Sequence, residues 1–311
     1  MQQRYVGNSG LRVSALSLGT MSWAAETDEQ DASEILRTFV DGGGKMIDTA
    51  ASYSGGRAEA LIGSMLGDVV SRTEVCISTK AGTSTSDGRR TVDTSRGAML
   101  GTLDASLARL GTDHVDIWFA QAWDGNVPLD ETLSALEFAV RSGRARYVGI
   151  ANFNGWQSAK AAAVAGFPLV AAQTEYSLLR RTPEAELVPA VEDAGLGLMA
   201  WAPLGRGVLT GKYRGGIPGD SSAARTDSAP YIEPYLGQQP SSVVEAVAMA
   251  AKGLGRTPLD VALSWLLAQH GVATAIVGPR TPVQAKEILA AQLTRLPPEI
   301  AQALEDVSQP A

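Results

Sequence analysis

An aspartate, a tyrosine and a lysine stand at or just beyond the ends of short apolar runs. Asp48 closes Lys45-Met46-Ile47-Asp48, Tyr53 follows in the next loop, and Lys80 closes Val75-Cys76-Ile77-Ser78-Thr79-Lys80. Together they suggest proton transfer from a tuned phenol. A tyrosine hydroxyl ionises near ~10 when unperturbed. A neighbouring ammonium favours the phenolate, so Lys80 is expected to lower that value and bring the phenol closer to use as an acid near neutrality. A buried lysine tends to lose its proton, and an aspartate beside it keeps it charged. Gln121 occupies a fourth such position, after Val115-Asp116-Ile117-Trp118-Phe119-Ala120.

Positioning these residues requires strands that end on one side of the molecule. Further strand-like runs lie at 147–151, 170–173, 196–201 and 274–277, with a weaker one at 292–294. Helical stretches at 57–66, 95–109, 155–165 and 186–194 alternate with them. Another is opened by Asp130, carries Leu133, Leu136 and Val140, and is closed by Gly143. Repeated β-then-α units imply a parallel sheet covered by helices, and eight of them favour a closed (β/α)8 TIM barrel. Residues 1–311 read as a single domain of that kind. Tyr5-Val6 and Arg12-Val13-Ser14 flank Gly7-Asn8-Ser9-Gly10, which reads as an N-terminal β-hairpin. After the sixth strand, 205–240 is a long Gly/Pro/Ser-rich loop without helical or strand period, expected to act as a lid.

In such a barrel the C-terminal strand ends face the active site. In order they carry Asp48, Lys80, Gln121, Asn152, Gln173 and Trp201, a polar set where core ends would be mostly apolar. Taken singly, Asp48 also suits a cap and Lys80 a solvated strand end. Gly205-Arg206-Gly207 and Gly211 follow the sixth strand. They do not form a dinucleotide fingerprint, because the third glycine would fall on Thr210. With Lys212 the loop nevertheless offers backbone N–H groups and a charge suited to a pyrophosphate. Gly278-Pro279-Arg280 ends the seventh strand and leads into a helix with Gln284 and Glu287, where Arg280 suits a phosphate monoester.

Composition narrows the function classes. A hydrophobic content of 45% in 311 residues allows a sizeable core. The net charge of −7, with no run of lysine or arginine longer than two, argues against nucleic acid or an anionic membrane as partner. No apolar stretch opens the chain or approaches the length of a membrane span. Cys76 is the only cysteine, so no intrachain disulfide forms and a cytoplasmic setting is expected. Mid-strand, it is a packing residue rather than a nucleophile.

The chain resembles the aldo-keto reductase superfamily. The matching pieces run in order along nearly its whole length: Leu18-Gly19-Thr20-Met21, Ile47-Asp48-Thr49-Ala50 with Tyr53, Ser78-Thr79-Lys80, and Arg109-Leu110-Gly111-Thr112-Asp113 with Val115-Asp116. They continue with Val148-Gly149-Ile150-Ala151-Asn152, Gln173-Thr174-Glu175-Tyr176, and Trp201-Ala202-Pro203-Leu204-Gly205-Arg206-Gly207 with Thr210-Gly211-Lys212-Tyr213. Trp201 makes it most similar to the branch with potassium channel β subunits and bacterial relatives.

The resemblance implies reduction of an aldehyde or ketone by hydride transfer from NADP(H), bound without a Rossmann fold. It makes Tyr53 the general acid, tuned by Lys80 and Asp48. Thr20 and Met21 would also meet the cofactor. Asn152 and Gln173 would hold its carboxamide, and Trp201 would stack on the nicotinamide ring. Leu204, Gly205, Gly207 and Lys212 would take the pyrophosphate. Gly278 would adjoin the cofactor, Arg280 and Gln284 would meet the 2′-phosphate, and Glu287 the adenine. The partner it implies is a small-molecule carbonyl substrate; the identity of that substrate and the oligomeric state are not read from the sequence.

The chain departs from the family at several positions. The family's histidine aligns with Gln121, which donates an N–H but does not titrate. His114 lies seven residues upstream, about 23 Å away at ~3.3 Å per residue, at the opposite barrel end. His270 is expected in the outer helix before the seventh strand. Ser54 stands where glycine is usual, and Ile288 where asparagine is usual. Two other readings accompany the carbonyl reductase: an NADP(H)-binding sensor subunit with little turnover, and a reductase of activated C=C bonds.

Overall fold

The computed structural model describes residues 1–86, 89–219, 221–226 and 228–309. Eight parallel strands close into a barrel: β3 (Leu16–Gly19), β4 (Met46–Asp48), β5 (Cys76–Ala81), β8 (Val115–Ala120), β9 (Ala145–Ala151), β10 (Ala171–Glu175), β11 (Gly197–Trp201) and β12 (Val272–Val277), which pairs with β3. These runs are apolar on both faces, because one face lines the barrel interior and the other meets the helices. Phe119, Met46, Ile117, Met199 and Ile276 pack into an inner cluster separate from the helix-facing core.

Two strands differ from the sequence reading. Leu16–Gly19 is the first barrel strand, although only its Leu18 and Gly19 were read, as part of a motif. The expected strand at 292–294 is not formed. Gln292 instead donates its backbone N–H to Asp260 Oδ1 at 3.1 Å, and its carbonyl accepts from Ser264 Oγ at 3.3 Å, so helix contacts replace sheet pairing.

The outer helices are α1 (Glu29–Asp41), α2 (Arg57–Met65), α3 (Arg96–Leu110), α4 (Leu129–Arg141), α5 (Gly155–Val164), α6 (Pro183–Asp193), α7 (Ala229–Ile232), α8 (Gln238–Leu254), α9 (Pro258–Leu267), α10 (Pro282–Leu289) and α11 (Pro298–Val307). Good caps start several of them. Thr257 and Asp260 form a reciprocal capping box on α9, and Asn154 and Gln157 one on α5.

The N-terminal hairpin of β1 (Gln3–Tyr5) and β2 (Arg12–Ser14) is present and plugs the barrel floor with Val6, Leu11 and Val13. Gly7 has φ +53°, and a Cβ there would collide with the backbone of Gly195 and Gly197. A second hairpin, β6 (Thr83–Ser86) with β7 (Arg89–Val92), was not foreseen; its Ser/Thr/Arg composition carries no apolar alternation.

The segment expected as a structureless loop at 205–240 holds one-turn helices at Val208–Thr210, Ser222–Ala224 and Glu233–Tyr235, short α7, and the start of α8. Asp220 and Asp227, within that expected loop, lie outside the described residues. His270 is not helical; it sits in the turn after α9, beside Glu192. Among the described residues, no helix is long and apolar enough to cross a membrane.

Candidate active site

Strand pairing brings Asp48 and Lys80 side by side, because β4 and β5 are parallel neighbours with Asp48 opposite Ser78. Lys80 Nζ donates to Asp48 Oδ2 at 2.7 Å and to the Thr49 carbonyl at 2.8 Å. The other carboxylate oxygen accepts from Ser78 Oγ at 2.7 Å and Gln173 Nε2 at 2.9 Å. Both charges are buried, with about 2% of each residue exposed. A buried ion pair needs such additional donors, since desolvation otherwise exceeds the Coulomb gain.

Lys80 Nζ lies 5.2 Å from the centroid of the Tyr53 ring. Burial alone would lower the Lys80 pKa, but Asp48 and then Tyr53 more than offset it and hold the ammonium above its ordinary value. The half-buried Tyr53 goes the other way from the sequence expectation. Burial raises its phenol above the ordinary value, and the opposing pull of Lys80 does not win, partly because Asp48 pushes upward too. Tyr53 is therefore a protonated donor at neutral pH, not a phenolate.

Gln121 is 8% exposed and firmly oriented. Its Oε1 accepts from Thr83 Oγ1 at 2.6 Å and Ser52 Oγ at 3.2 Å, which leaves the amide N–H2 as its uncommitted edge. Its backbone carbonyl accepts from Asn152 Nδ2 at 2.8 Å, and Asn152 Oδ1 accepts from Trp201 Nε1 at 3.1 Å. The side chains of the six strand-end residues thus form two hydrogen-bonded groups, Gln121–Asn152–Trp201 and Lys80–Asp48–Gln173, joined by the backbone bond from Asn152 N–H to the Gln173 carbonyl at 2.8 Å. Neither Ser52 nor Thr83 was singled out from sequence; only their closeness to Tyr53 and Lys80 could have flagged them.

Left-handed backbone collects here. Ser54 (φ +51°), Asn152 (φ +59°), Ala202 (φ +50°) and Arg206 (φ +55°) all lie just beyond strand ends or in the loops that follow them. Such conformations cost free energy in non-glycine residues and cluster at functional sites. At Ser54, in place of the usual glycine, the side chain compensates by donating to the Trp23 carbonyl at 2.8 Å.

The loop after β11 makes a concave run of left-handed residues: Gly205 (φ +53°), Arg206 and Gly207 (φ +88°), with Gly211 (φ +80°) behind. At Gly207 it is the left-handed φ that favours glycine; a Cβ there would lie 2.9 Å from Lys212 Nζ, the movable end of an exposed side chain that sits over the loop. Leu204 flanks this run, half-buried, and Lys212 is exposed. Arg206 was not singled out; its guanidinium lies 5.5 Å from the Trp201 ring and 5.4 Å from that of Tyr231. Oriented N–H groups with a lysine suit a pyrophosphate, so these residues fit a dinucleotide.

The remaining positions are less uniform. Thr20 is fully buried and bonds the Asp48 carbonyl through both backbone N–H (3.0 Å) and Oγ1 (3.1 Å). Met21, Gly278 and Glu287 are exposed. Gln284 Oε1 accepts the Arg280 backbone N–H at 2.9 Å. Arg280 Nη1 pairs with Glu26 Oε2 at 3.0 Å, and Arg225 Nη1 lies 3.8 Å from the same oxygen. In the sequence Arg280 reads as a phosphate partner, and no acidic neighbour is named for it. Glu26 supplies one from the loop after β3, distant in sequence and carried in by β3–β12 pairing.

Other groups are structural. Glu59 is fully buried and accepts from Thr79 Oγ1 at 2.5 Å and Arg109 Nε at 2.7 Å, tying α2 and α3 to β5 next to Lys80. Burial pushes the Cys76 thiol up to about 11, in keeping with an inert packing residue. A cleft of about 600 Å³ lined by Arg4, Ser264 and Arg295 opens at the N-terminal ends of the strands, away from Tyr53. Among the described residues no His/Cys/Asp/Glu cluster is able to hold a metal.

A family model described as the aldo/keto reductase family matches residues 15–309. The chain is 37% identical to an uncharacterized oxidoreductase, YrpG, of Bacillus subtilis, covering 99% of this chain and 96% of that protein. It is 35% identical to the L-glyceraldehyde 3-phosphate reductase of Escherichia coli K12, covering 97% and 91%. It is 33% identical to a Schizosaccharomyces pombe protein named for the voltage-gated potassium channel β subunits, covering 98% and 92%.

Proposed function

The chain belongs to the aldo/keto reductase family, and on that premise we propose that it is an NADPH-dependent reductase of aldehydes or ketones with Tyr53 as proton donor. The observation that carries this reading is the buried Lys80–Asp48 pair at 2.7 Å with Lys80 Nζ against the Tyr53 ring. Such a pair is costly to bury and gives a ligand-binding scaffold nothing that an apolar pair would not supply. It serves a group whose proton must be held and then released.

A reduced nicotinamide, when bound, supplies the hydride. Trp201 offers it a ring face, Gln173 a carbonyl oxygen left over once Nε2 is spent on Asp48, and the Gly205–Gly207 loop with Lys212 a pyrophosphate cradle. Arg280 and Gln284 sit at the start of α10, a setting suited to the 2′-phosphate. Gly278, Thr20, Met21 and Glu287 border that path, and Asn152 holds Trp201 in place through its amide.

Tyr53, protonated at neutral pH, donates its proton to the carbonyl oxygen as negative charge develops there. Lys80 then stabilises the phenolate left behind, and Asp48 keeps Lys80 charged. The N–H2 of Gln121 donates a second hydrogen bond to the same oxygen and holds the carbonyl in place without titrating. The barrel-end location and the family support a small-molecule carbonyl substrate. The L-glyceraldehyde 3-phosphate reductase relative is named for an aldehyde substrate, and this favours an aldehyde here.

The test is loss of reduced-cofactor absorbance on adding a panel of aldehydes, ketones and enones to the protein with NADPH. Aldehyde-dependent oxidation is the expected result. Cofactor binding with no turnover on any panel member would replace the reductase by a sensor subunit.

A further inference from the structure

The β6–β7 hairpin leaves β5 just after Lys80, and its first residue reaches the site: Thr83 Oγ1 lies 2.6 Å from Gln121 Oε1. Directly opposed residues of an antiparallel pair project to one face, and alternate residues along a strand share it. The register opposes Thr83 to Val92 and Thr85 to Arg90, so these four residues make the face turned towards Gln121. Ser84 and Thr91 make the other face, where their hydroxyls meet at 2.7 Å, and Arg89 belongs with them. Arg90 is exposed and has no hydrogen-bond or ion-pair partner among the described residues.

From this placement we infer that Arg90 is a substrate-anion site: the pocket takes carbonyl compounds bearing a carboxylate or phosphate a few bonds from the C=O group. This rests on the reductase reading of the same pocket. Gln121 and Tyr53 hold the carbonyl oxygen, and Arg90, two residues further along the hairpin face at about 7 Å, holds the anion.

Two observations support the assignment. Burial raises the Tyr53 phenol, and Arg90 is among the charges that oppose it, which puts the guanidinium within electrostatic reach of the proton donor. The chain as a whole carries −7, so its field repels anionic substrates unless a local cation attracts them. A guanidinium with no partner among the described residues keeps its fork available for a carboxylate or phosphate.

The test compares wild type and Arg90→Ala, each saturated with NADP+. Ligands are benzyl alcohol, 4-(hydroxymethyl)benzoate and 4-(hydroxymethyl)phenyl phosphate, titrated by calorimetry, with kcat and KM for the matching aldehydes measured separately with NADPH as hydride donor. For the anionic ligands the expected result is a ~3–20-fold loss of affinity and a matching rise in KM, with kcat little changed. Benzyl alcohol and benzaldehyde should change less than about twofold, and Arg90→Lys should recover part of the loss. The stronger effect, on carboxylate or on phosphate, identifies the natural anion. Equal effects on charged and neutral ligands, or none, would overturn the assignment. Selective binding without turnover of any aldehyde would retain the anion site and remove the reductase reading. Turnover of all three aldehydes with no dependence on Arg90 would do the reverse.

Discussion

Thr83 donates a 2.6 Å hydrogen bond to Gln121 Oε1, and this bond turns the Gln121 amide so that its N–H2 edge is the one free for a substrate oxygen. A glutamine offers two chemically opposite edges, and the hydroxyls of Thr83 and Ser52 select between them. Thr83→Val removes the stronger partner. The expected outcome is a ~2–10-fold drop in kcat, the size of one neutral hydrogen bond, with NADPH affinity unchanged. Steady-state kinetics beside a cofactor titration checks it; an unchanged kcat would show that the amide is held without Thr83.

The pH dependence follows from Gln121 and from the raised Tyr53 phenol. Gln121 does not titrate, and a donor whose pKa lies above its ordinary ~10 stays protonated throughout the neutral range. The profile of kcat/KM from pH 6 to about 9 is therefore expected to be flat, falling only on the alkaline side. Gln121→His should add a limb near ~6.5 and raise reduction of simple aldehydes. A limb inside the neutral range of the wild-type protein would place another titrating group in the reaction.

Most of the barrel is legible from apolar runs and helical spacing, because periodicity reports burial directly. Leu16–Gly19 escaped because four residues carry little period, and the β6–β7 hairpin because Val92 is its one apolar residue and no alternation results. Asp48, Tyr53 and Lys80 were legible as strand-end polar residues, and the structure brings them together. The direction of the Tyr53 shift was not, because it depends on how much protein surrounds the ring rather than on which charges neighbour it. Glu26 beside Arg280 was hidden for a related reason: barrel closure makes neighbours of residues at opposite ends of the chain.

The Glu26–Arg280 pair at 3.0 Å sets a prediction about cofactor choice. In the proposed NADPH complex Glu26 would compete with the 2′-phosphate for the guanidinium. Glu26→Gln is expected to tighten NADPH binding several-fold and leave NADH nearly unchanged. Arg280→Ala is expected to weaken NADPH by about 1.5 kcal/mol, the low end for a charge-assisted bond, and barely affect NADH. Fluorescence titration with both cofactors checks this, and equal changes for NADPH and NADH would remove Arg280 from the phosphate site.

Lys80→Met leaves Asp48 buried with only Ser78 and Gln173 as donors. Removing one partner of a buried pair typically costs ~3–5 kcal/mol, so the urea midpoint is expected to fall clearly. Lys80→Met with Asp48→Asn should regain part of that stability while remaining inactive. A double variant no more stable than Lys80→Met would mean that the buried carboxylate is not the source of the loss.

In the proposed reduction the Tyr53 hydroxyl supplies the proton while the Lys80–Asp48 pair holds it ready. The most direct measurement is turnover of an aldehyde by Tyr53→Phe, with NADPH affinity measured on the same preparation. A loss on the order of 10²–10⁴-fold in kcat with nearly unchanged NADPH affinity is the predicted result. Normal turnover by Tyr53→Phe would show that the proton comes from another group.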